Sequence, residues 1–183
     1  FFFKQKTAYE IPKRDWSSDV CSSDLPRVAG NFGAVAAAPE SGDGEDTPVV
    51  TLDSLALKSC RLIKVDVEGM ETDVLRGARE TIRKRRPILF VENNTLERSA
   101  RTLAAVRALG YRPWWHLALY YNRKNFFGNK ENVFAKFKPE ANLLCMPDDG
   151  DPGIPELIEA SGTDDNWERA RDRGIAAGNP TFK

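Results

Sequence analysis

The chain has 183 residues, 41% of them hydrophobic and 30% charged, a balance that supports one soluble globular core and excludes global disorder. Lys plus Arg equal Asp plus Glu at 27 each, and a net charge of zero argues against a general polyanion binder, so no nucleic-acid partner is expected. No apolar run approaches the ~20 residues that span a bilayer, so no membrane partner is expected and the default location is cytoplasmic, with any address on a missing N-terminus left open.

Residues 1–25 stand apart. They show no sustained period of 2 or 3.6 and end in a Ser/Asp-rich run, Ser17-Ser18-Asp19 and Ser22-Ser23-Asp24. They resemble a translation product of sequencing-adapter DNA that recurs at the broken ends of assembled reading frames. The expectation is a non-native segment, with a native disordered arm as the rival. Residues 36–47, rich in Gly, acid and small side chains, read as an exposed loop. Pro48 to Leu52 is a β-branched strand signal, and Asp53 to Leu57 reads as a brief helical turn with Asp53 as its N-cap.

Arg61 to Val67 is the clearest strand, nearly continuously apolar as if helices covered both faces of a parallel sheet. Gly69 permits a tight turn, and Met70, Val74, Ala78 and Ile82 then mark one face of a single helix that Pro87 ends. Glu68, Glu71 and Asp73 at its start and Arg83 to Arg86 at its end suit the helix dipole. Ile88 to Glu92 is a second buried strand, Leu96 to Leu109 a second helix capped by Gly110, and Tyr111 to Leu117 a third strand. Strand–helix–strand–helix–strand implies right-handed crossovers and a parallel, doubly wound α/β sheet. Asn132 to Phe137 is one more short strand candidate and Asn142 to Met146 a closing strand. From Asp148 the text is acidic and broken by Gly and Pro, a tail or loosely attached appendage with helix candidates near 155–160 and 165–173.

Open parallel sheets bind ligands beyond the carboxyl ends of their strands, which directs attention to Asp66, Glu68 and Glu92, with Asn93 beside them. If the strand persists, Asp66 and Glu68 point the same way. An acid within an apolar strand costs several kcal/mol unless paired, so Asp66 is either bonded to Lys64 or a backbone amide, or kept for function. Glu71 and Asp73 read as helix-end stabilisers, and His116 as a packed or hydrogen-bonded residue. Trp114, Trp115, Tyr120, Tyr121, Phe126 and Phe127 form a substrate wall, a core or an interface, equally. Cys21, Cys60 and Cys145 lack ligand spacing, so they read as free thiols, Cys60 and Cys145 buried, with no metal site. No G-x-G-x-x-G or Walker-type loop occurs.

The stretch Thr51-Leu52-Asp53, Lys64-Val65-Asp66-Val67-Glu68-Gly69, Glu71, Leu75-Arg76-Gly77-Ala78 and Glu92 resembles the FkbM methyltransferases. Gly110-Tyr111, Trp115-His116, Asn125-Phe126 and Asn142-Leu143-Leu144-Cys145 extend the likeness. The resemblance implies a Rossmann-like sheet of the class I methyltransferase type, closed by an antiparallel strand, with the Asp66 strand fourth and the Glu92 strand fifth. It implies methyl transfer from S-adenosylmethionine to an oxygen of a small-molecule or sugar acceptor, with Asp66 or Glu68 orienting or deprotonating that hydroxyl. The family's opening strand, its acid–Gly–Ala–Asn–x–Gly cofactor loop and its ribose-binding acid find no match upstream of Pro26. Residues 26–147 are therefore expected to be a partial domain, N-terminal strands missing, inactive alone and without assignable cofactor-binding residues, followed by a tail over 148–183. Two rivals stand: a divalent-metal hydrolase-like site of Asp66, Glu68, Glu92 and Asp53, and a non-catalytic interaction domain.

Overall fold

The computed structural model describes residues 22–23, 47–48 and 50–182. Most of the segment read as non-native, the 36–46 loop, Cys21 and Val49 lie outside the described residues. Strands β1 (Ser22–Ser23) and β2 (Thr47–Pro48) pair antiparallel with each other. The main sheet comprises β3 (Leu62–Val65), β4 (Ile88–Glu92), β5 (Tyr111–Ala118), β6 (Glu140–Pro147) and β7 (Ile158–Glu159), in the order β3-β4-β6-β5-β7. The helices are α1 (Glu71–Gly77), α2 (Arg79–Arg85), α3 (Leu96–Ala108) and α4 (Trp167–Ala176).

β3 and β4 run parallel, Leu62 opposite Ile88 and Val65 opposite Val91. β6 is antiparallel to both β4 and β5, so β3, β4 and β5 point the same way although β5 does not touch β4. The expected directions hold, and the expected closing antiparallel strand enters between two of the parallel strands. The Asn132–Phe137 candidate is a series of turns inside the long β5–β6 connection.

Strand alternation puts Ile63, Val65, Leu89, Val91, Leu143, Cys145, Tyr111 and Trp115 on one face. There they share a core with Leu75, Ala78 and Ile82 of the first helical segment and Leu103 and Val106 of α3. The other positions are more open: Leu62 and Lys64 are exposed, and Ile88, Phe90 and Leu144 are half-buried. Double coverage of β3 is thus not seen among the described residues, and its near-continuous apolarity does not translate into two buried faces.

The single helix expected after Gly69 is two. The break falls at Ala78 (φ −108°, ψ 4°), and its cause is tertiary. A short 3₁₀ turn, Asp53–Leu55, lies against it, and the Asp53 carboxylate accepts the Glu80 and Thr81 amides at 2.9 and 2.7 Å. Asp53 therefore caps α2 from 27 residues away rather than its own turn, satisfying amides that a helix start leaves orphaned. Gly77 faces Thr51, where a Cβ would make an ordinary van der Waals contact with Thr51 Cβ at 3.4 Å. Pro48 to Leu52 consequently does not form the expected strand: β2 stops at Pro48, and Val50, Thr51 and Leu52 have no strand structure.

The segment from Ile158 to Phe182 is not a loose appendage. β7 adds to the β5 edge, Ile158 opposite Trp115, where a helix over 155–160 was expected. α4 buries Trp167, Ala170 and Gly174, and Gly174 lies so close to Phe182 and Ile158 that a Cβ would meet them at 2.6 and 2.7 Å. Asp165, fully buried, accepts from Trp115 Nε1 at 3.0 Å, the Ser161 amide at 3.0 Å, and Arg173 Nη1 and Nη2 at 2.9 and 2.6 Å. Burial opposes its ionisation, but the Arg173 guanidinium, the Ser161 amide and the Trp115 indole outweigh it and hold the carboxyl below its usual range.

Candidate functional site

β3 ends at Val65, one residue short of Asp66, so this acid is not embedded in the strand as expected. Its side chain is 42% exposed and pairs with Lys64 Nζ at 2.6 Å. Of the two options open in the sequence, the geometry shows the pairing. Continuing the parallel register by one residue from Val65–Val91 sets Asp66 level with Glu92 at the same rim.

The chain then turns sharply. Glu68 (φ +50°) and Gly69 (φ +105°) are both left-handed, and a non-glycine residue there stores about 1 kcal/mol or more of strain. The turn overrides the argument that Asp66 and Glu68 share a direction, which required a persisting strand. Glu71, at the first position of α1, is buried and accepts the Gly69 amide at 2.7 Å. The α-carbon of Gly69 lies against the Arg98 guanidinium, so close that a Cβ would fall 2.2 Å from Nη1. Glycine is favoured here by φ, whereas a Cβ would only push the flexible end of Arg98 aside.

Glu68, Gly69, Glu71, Glu92, Asn93 and Arg98 line a recess of about 40 Å³, with Asn94, Thr95 and Thr102. Ligand pockets span about 300–1,000 Å³, so the recess is far too small for a whole ligand and admits only the tip of one, such as a hydroxyl. Asp66 is outside the lining, but its charge reaches Glu92. The Glu92 carboxyl is pushed up to about 7, first by burial and then by the charges of Asp66, Glu68, Glu71 and Glu140. It accepts a hydrogen bond from the Asn94 amide. Asn93 is buried and donates from Nδ2 to Ser99 Oγ at 3.1 Å, while its Oδ1 has no partner among the described residues. Ser99 Oγ in turn donates to the Asp165 carbonyl at 2.9 Å, so the floor of the recess is tied to the C-terminal segment.

Sequence reasoning named Glu68, Glu92 and Asn93 but missed Arg98, which lines the recess from the first turn of α3. Glu71, read as a helix-end stabiliser, is both that and a lining residue. The signal for Arg98 was its position on the turn that follows the Glu92 loop. Asp53 is committed to capping α2, and no cluster of three or more His, Cys, Asp or Glu suited to a metal occurs among the described residues. The aromatic set divides: Trp115 is core, Trp114 is buried, and Tyr120, Phe126 and Phe127 are exposed on the β5–β6 connection. His116 is exposed and meets Phe90 edge-on, with ring centroids 5.6 Å apart. Cys145 is a buried free thiol that burial pushes far up, and Cys60 is a half-buried one.

The fold is a mixed α/β sheet with an acidic rim at the ends of two parallel strands. The methyltransferase FkbM domain matches residues 7–113, well over half the chain, and the chain belongs to that family, which places it among methyltransferases. Comparison with curated proteins gave no match, nor did comparison with solved structures.

Proposed function

We propose that the recess is the acceptor end of an S-adenosylmethionine-dependent methyltransferase, with Glu92 as the group that takes the proton from an acceptor hydroxyl of a sugar or other small molecule. The observation that carries this reading is the half-buried Glu92 carboxyl, held near 7 by burial and by surrounding acids. A carboxylate of that basicity accepts a hydroxyl proton far better than an ordinary glutamate does at neutral pH. Asp66 and Glu68 support it by keeping the rim electronegative, and Asp66 is itself held by Lys64. The strand order β3-β4-β6-β5, with its inserted antiparallel strand, supports a Rossmann-like sheet of the class I methyltransferase type.

The donor set suits the cofactor's charge. S-adenosylmethionine supplies an electrophilic methyl on a cationic sulfonium. The carboxylates of Glu68, Glu71 and Glu92 and the unpartnered Asn93 Oδ1 offer it acceptors, and Arg98 offers a carboxylate partner. Glu92 would orient the hydroxyl and accept its proton; Asn94 fixes the Glu92 carboxylate by its amide. Alignment of the reacting atoms by this rim contributes further acceleration. The grip on the rest of the cofactor is assigned to no described residue.

Two measurements test the reading. Calorimetry of S-adenosylmethionine with this chain is expected to show negligible binding, and micromolar binding would refute the assignment of the grip elsewhere. In protein that shows methyl transfer, the rate should rise as pH passes through about 7. There Glu92→Gln should lower kcat by roughly 10²–10⁴-fold. Full activity in Glu92→Gln sinks the proton-acceptor role.

A further inference from the structure

The connection between β5 and β6 has a composition unlike the rest of the molecule. Residues 119–139 hold Arg123, Lys124, Lys130, Lys136 and Lys138 against one acid, Glu131, in a chain of zero net charge, so the remainder is net acidic. Arg123, Lys124, Lys130 and Lys136 are exposed, and none enters an ion pair among the described residues. Interleaved with them are Phe126, 94% exposed, Phe127, 83% exposed, and the exposed Val133, Phe134 and Phe137.

The tip that carries the two phenylalanines is built rather than slack. Gly128 (φ +64°) closes a turn by donating its amide to the Asn125 carbonyl at 3.0 Å. The Asn125 side chain donates to the Asn122 and Asn129 carbonyls at 3.0 and 2.7 Å and accepts the Asn129 amide at 2.9 Å. Tyr121 Oη donates to the Asn129 carbonyl at 2.8 Å, bracing the base. Phe126 and Phe127 occupy the two central turn positions, where polar residues, Pro and Gly are the usual choices. Their rings meet edge-on, 5.2 Å apart, pointing away from the core. Arg123 and Lys130 flank them and share one open concavity at the loop base with Tyr121 and Asn132.

We propose that this loop docks the protein on an anionic lipid surface, Phe126 and Phe127 entering the interface and Arg123, Lys124 and Lys130 meeting headgroup phosphates. An apolar tip with a basic fringe is what such a surface selects, since apolar burial and charge attraction act together. A spanning helix is not involved; among the described residues no helix is long and apolar enough to cross a membrane. The expectation of no membrane partner rested on the lack of a span, and peripheral docking needs none. Two other occupants fit less well. A second copy docked symmetrically through this loop would set one basic fringe against another. Single-stranded nucleic acid needs a groove with open stacking faces, whereas these two rings form a protruding edge-to-face pair.

Sedimentation of the full chain with phosphatidylcholine vesicles, with and without phosphatidylglycerol, tests the proposal. Binding is expected only when the anionic lipid is present, and it should weaken with added salt. Arg123→Gln, Lys124→Gln and Lys130→Gln together should lower the partition coefficient on the order of a hundredfold. Phe126→Ser with Phe127→Ser should lower it by at least roughly tenfold. Both sets lie at exposed positions, so unchanged circular dichroism and melting will establish that the fold is intact. The proposal fails if the wild type ignores anionic vesicles or if the phenylalanine variant binds them as well as the wild type. It also fails if the same variants abolish self-association or oligonucleotide binding while vesicle binding is unchanged.

Discussion

Replacing Asp165 by Ala should unfasten the C-terminal segment from the sheet, at a cost set by the donors left without an acceptor. Four hydrogen bonds converge on this carboxylate, whose side chain has no exposure. The Trp115 indole, itself buried, loses its acceptor, a loss of about 1–3 kcal/mol for an orphaned donor. Arg173 is 37% exposed, so it can turn partly to water, and its loss falls below the roughly 3–5 kcal/mol of a fully buried broken pair. The groups share one partner, so the losses do not add fully. We expect a total of about 3–5 kcal/mol, and at roughly 2–4 °C per kcal/mol for a chain of this size a fall in Tm of about 10 °C. Thermal melting by circular dichroism reads it directly. The pH dependence supplies a second readout. Asp165 is held below its ordinary value, so its contribution is complete above about pH 4 and is lost as the pH falls towards the depressed folded value. The variant should therefore lose less stability than the wild type on acidification through that window. A Tm within one or two degrees of the wild type, with the same acid limb, would refute the view that residues 158–182 are integral to the fold.

Three further outcomes follow from the same geometry. Glu92 is raised from its ordinary 4.5 to about 7, so its ionisation is opposed by the fold. Stability should fall between those values in the wild type but not in Glu92→Gln, making the variant the more stable protein above pH 7; a Tm difference independent of pH would count against the shift. Gly69→Ala should cost about 1–2 kcal/mol through its positive φ and displace Arg98 from the recess, and trimming Arg98 to Ala in the same chain should recover only the steric part, as urea unfolding would show. Asp53→Ala should cost about 1 kcal/mol and speed hydrogen exchange at the Glu80 and Thr81 amides, with no effect expected on the amides of α1.

Much of the central architecture could be read from local pattern. The parallel β3–β4 pair, α3 with Gly110 beyond its end and the closing strand near Asn142 follow from periodicity and punctuation, which act over a few residues. The placing of acids at the strand exits followed from the same reading, because parallel strands deliver their carboxyl ends to one edge. The charge asymmetry of the 119–139 loop was equally present in the composition of that stretch, once its exposure was known.

What only the assembled chain decided involves partners far apart in sequence. Asp53 reads as a cap for the turn that contains it, yet it caps a helix 27 residues on, and so splits an otherwise continuous helix. Ile158 to Phe182 reads as a tail because its charges hide its few buried groups. It joins the sheet because Asp165 finds Trp115, 50 residues away, together with Arg173. The basicity of Glu92 is likewise a property of enclosure, since glutamate in isolation titrates at 4.5 and only burial beside Asp66, Glu68, Glu71 and Glu140 moves it towards neutrality. Local sequence sets which backbone groups pair with near neighbours; desolvation and long-range charge depend on what the fold brings alongside.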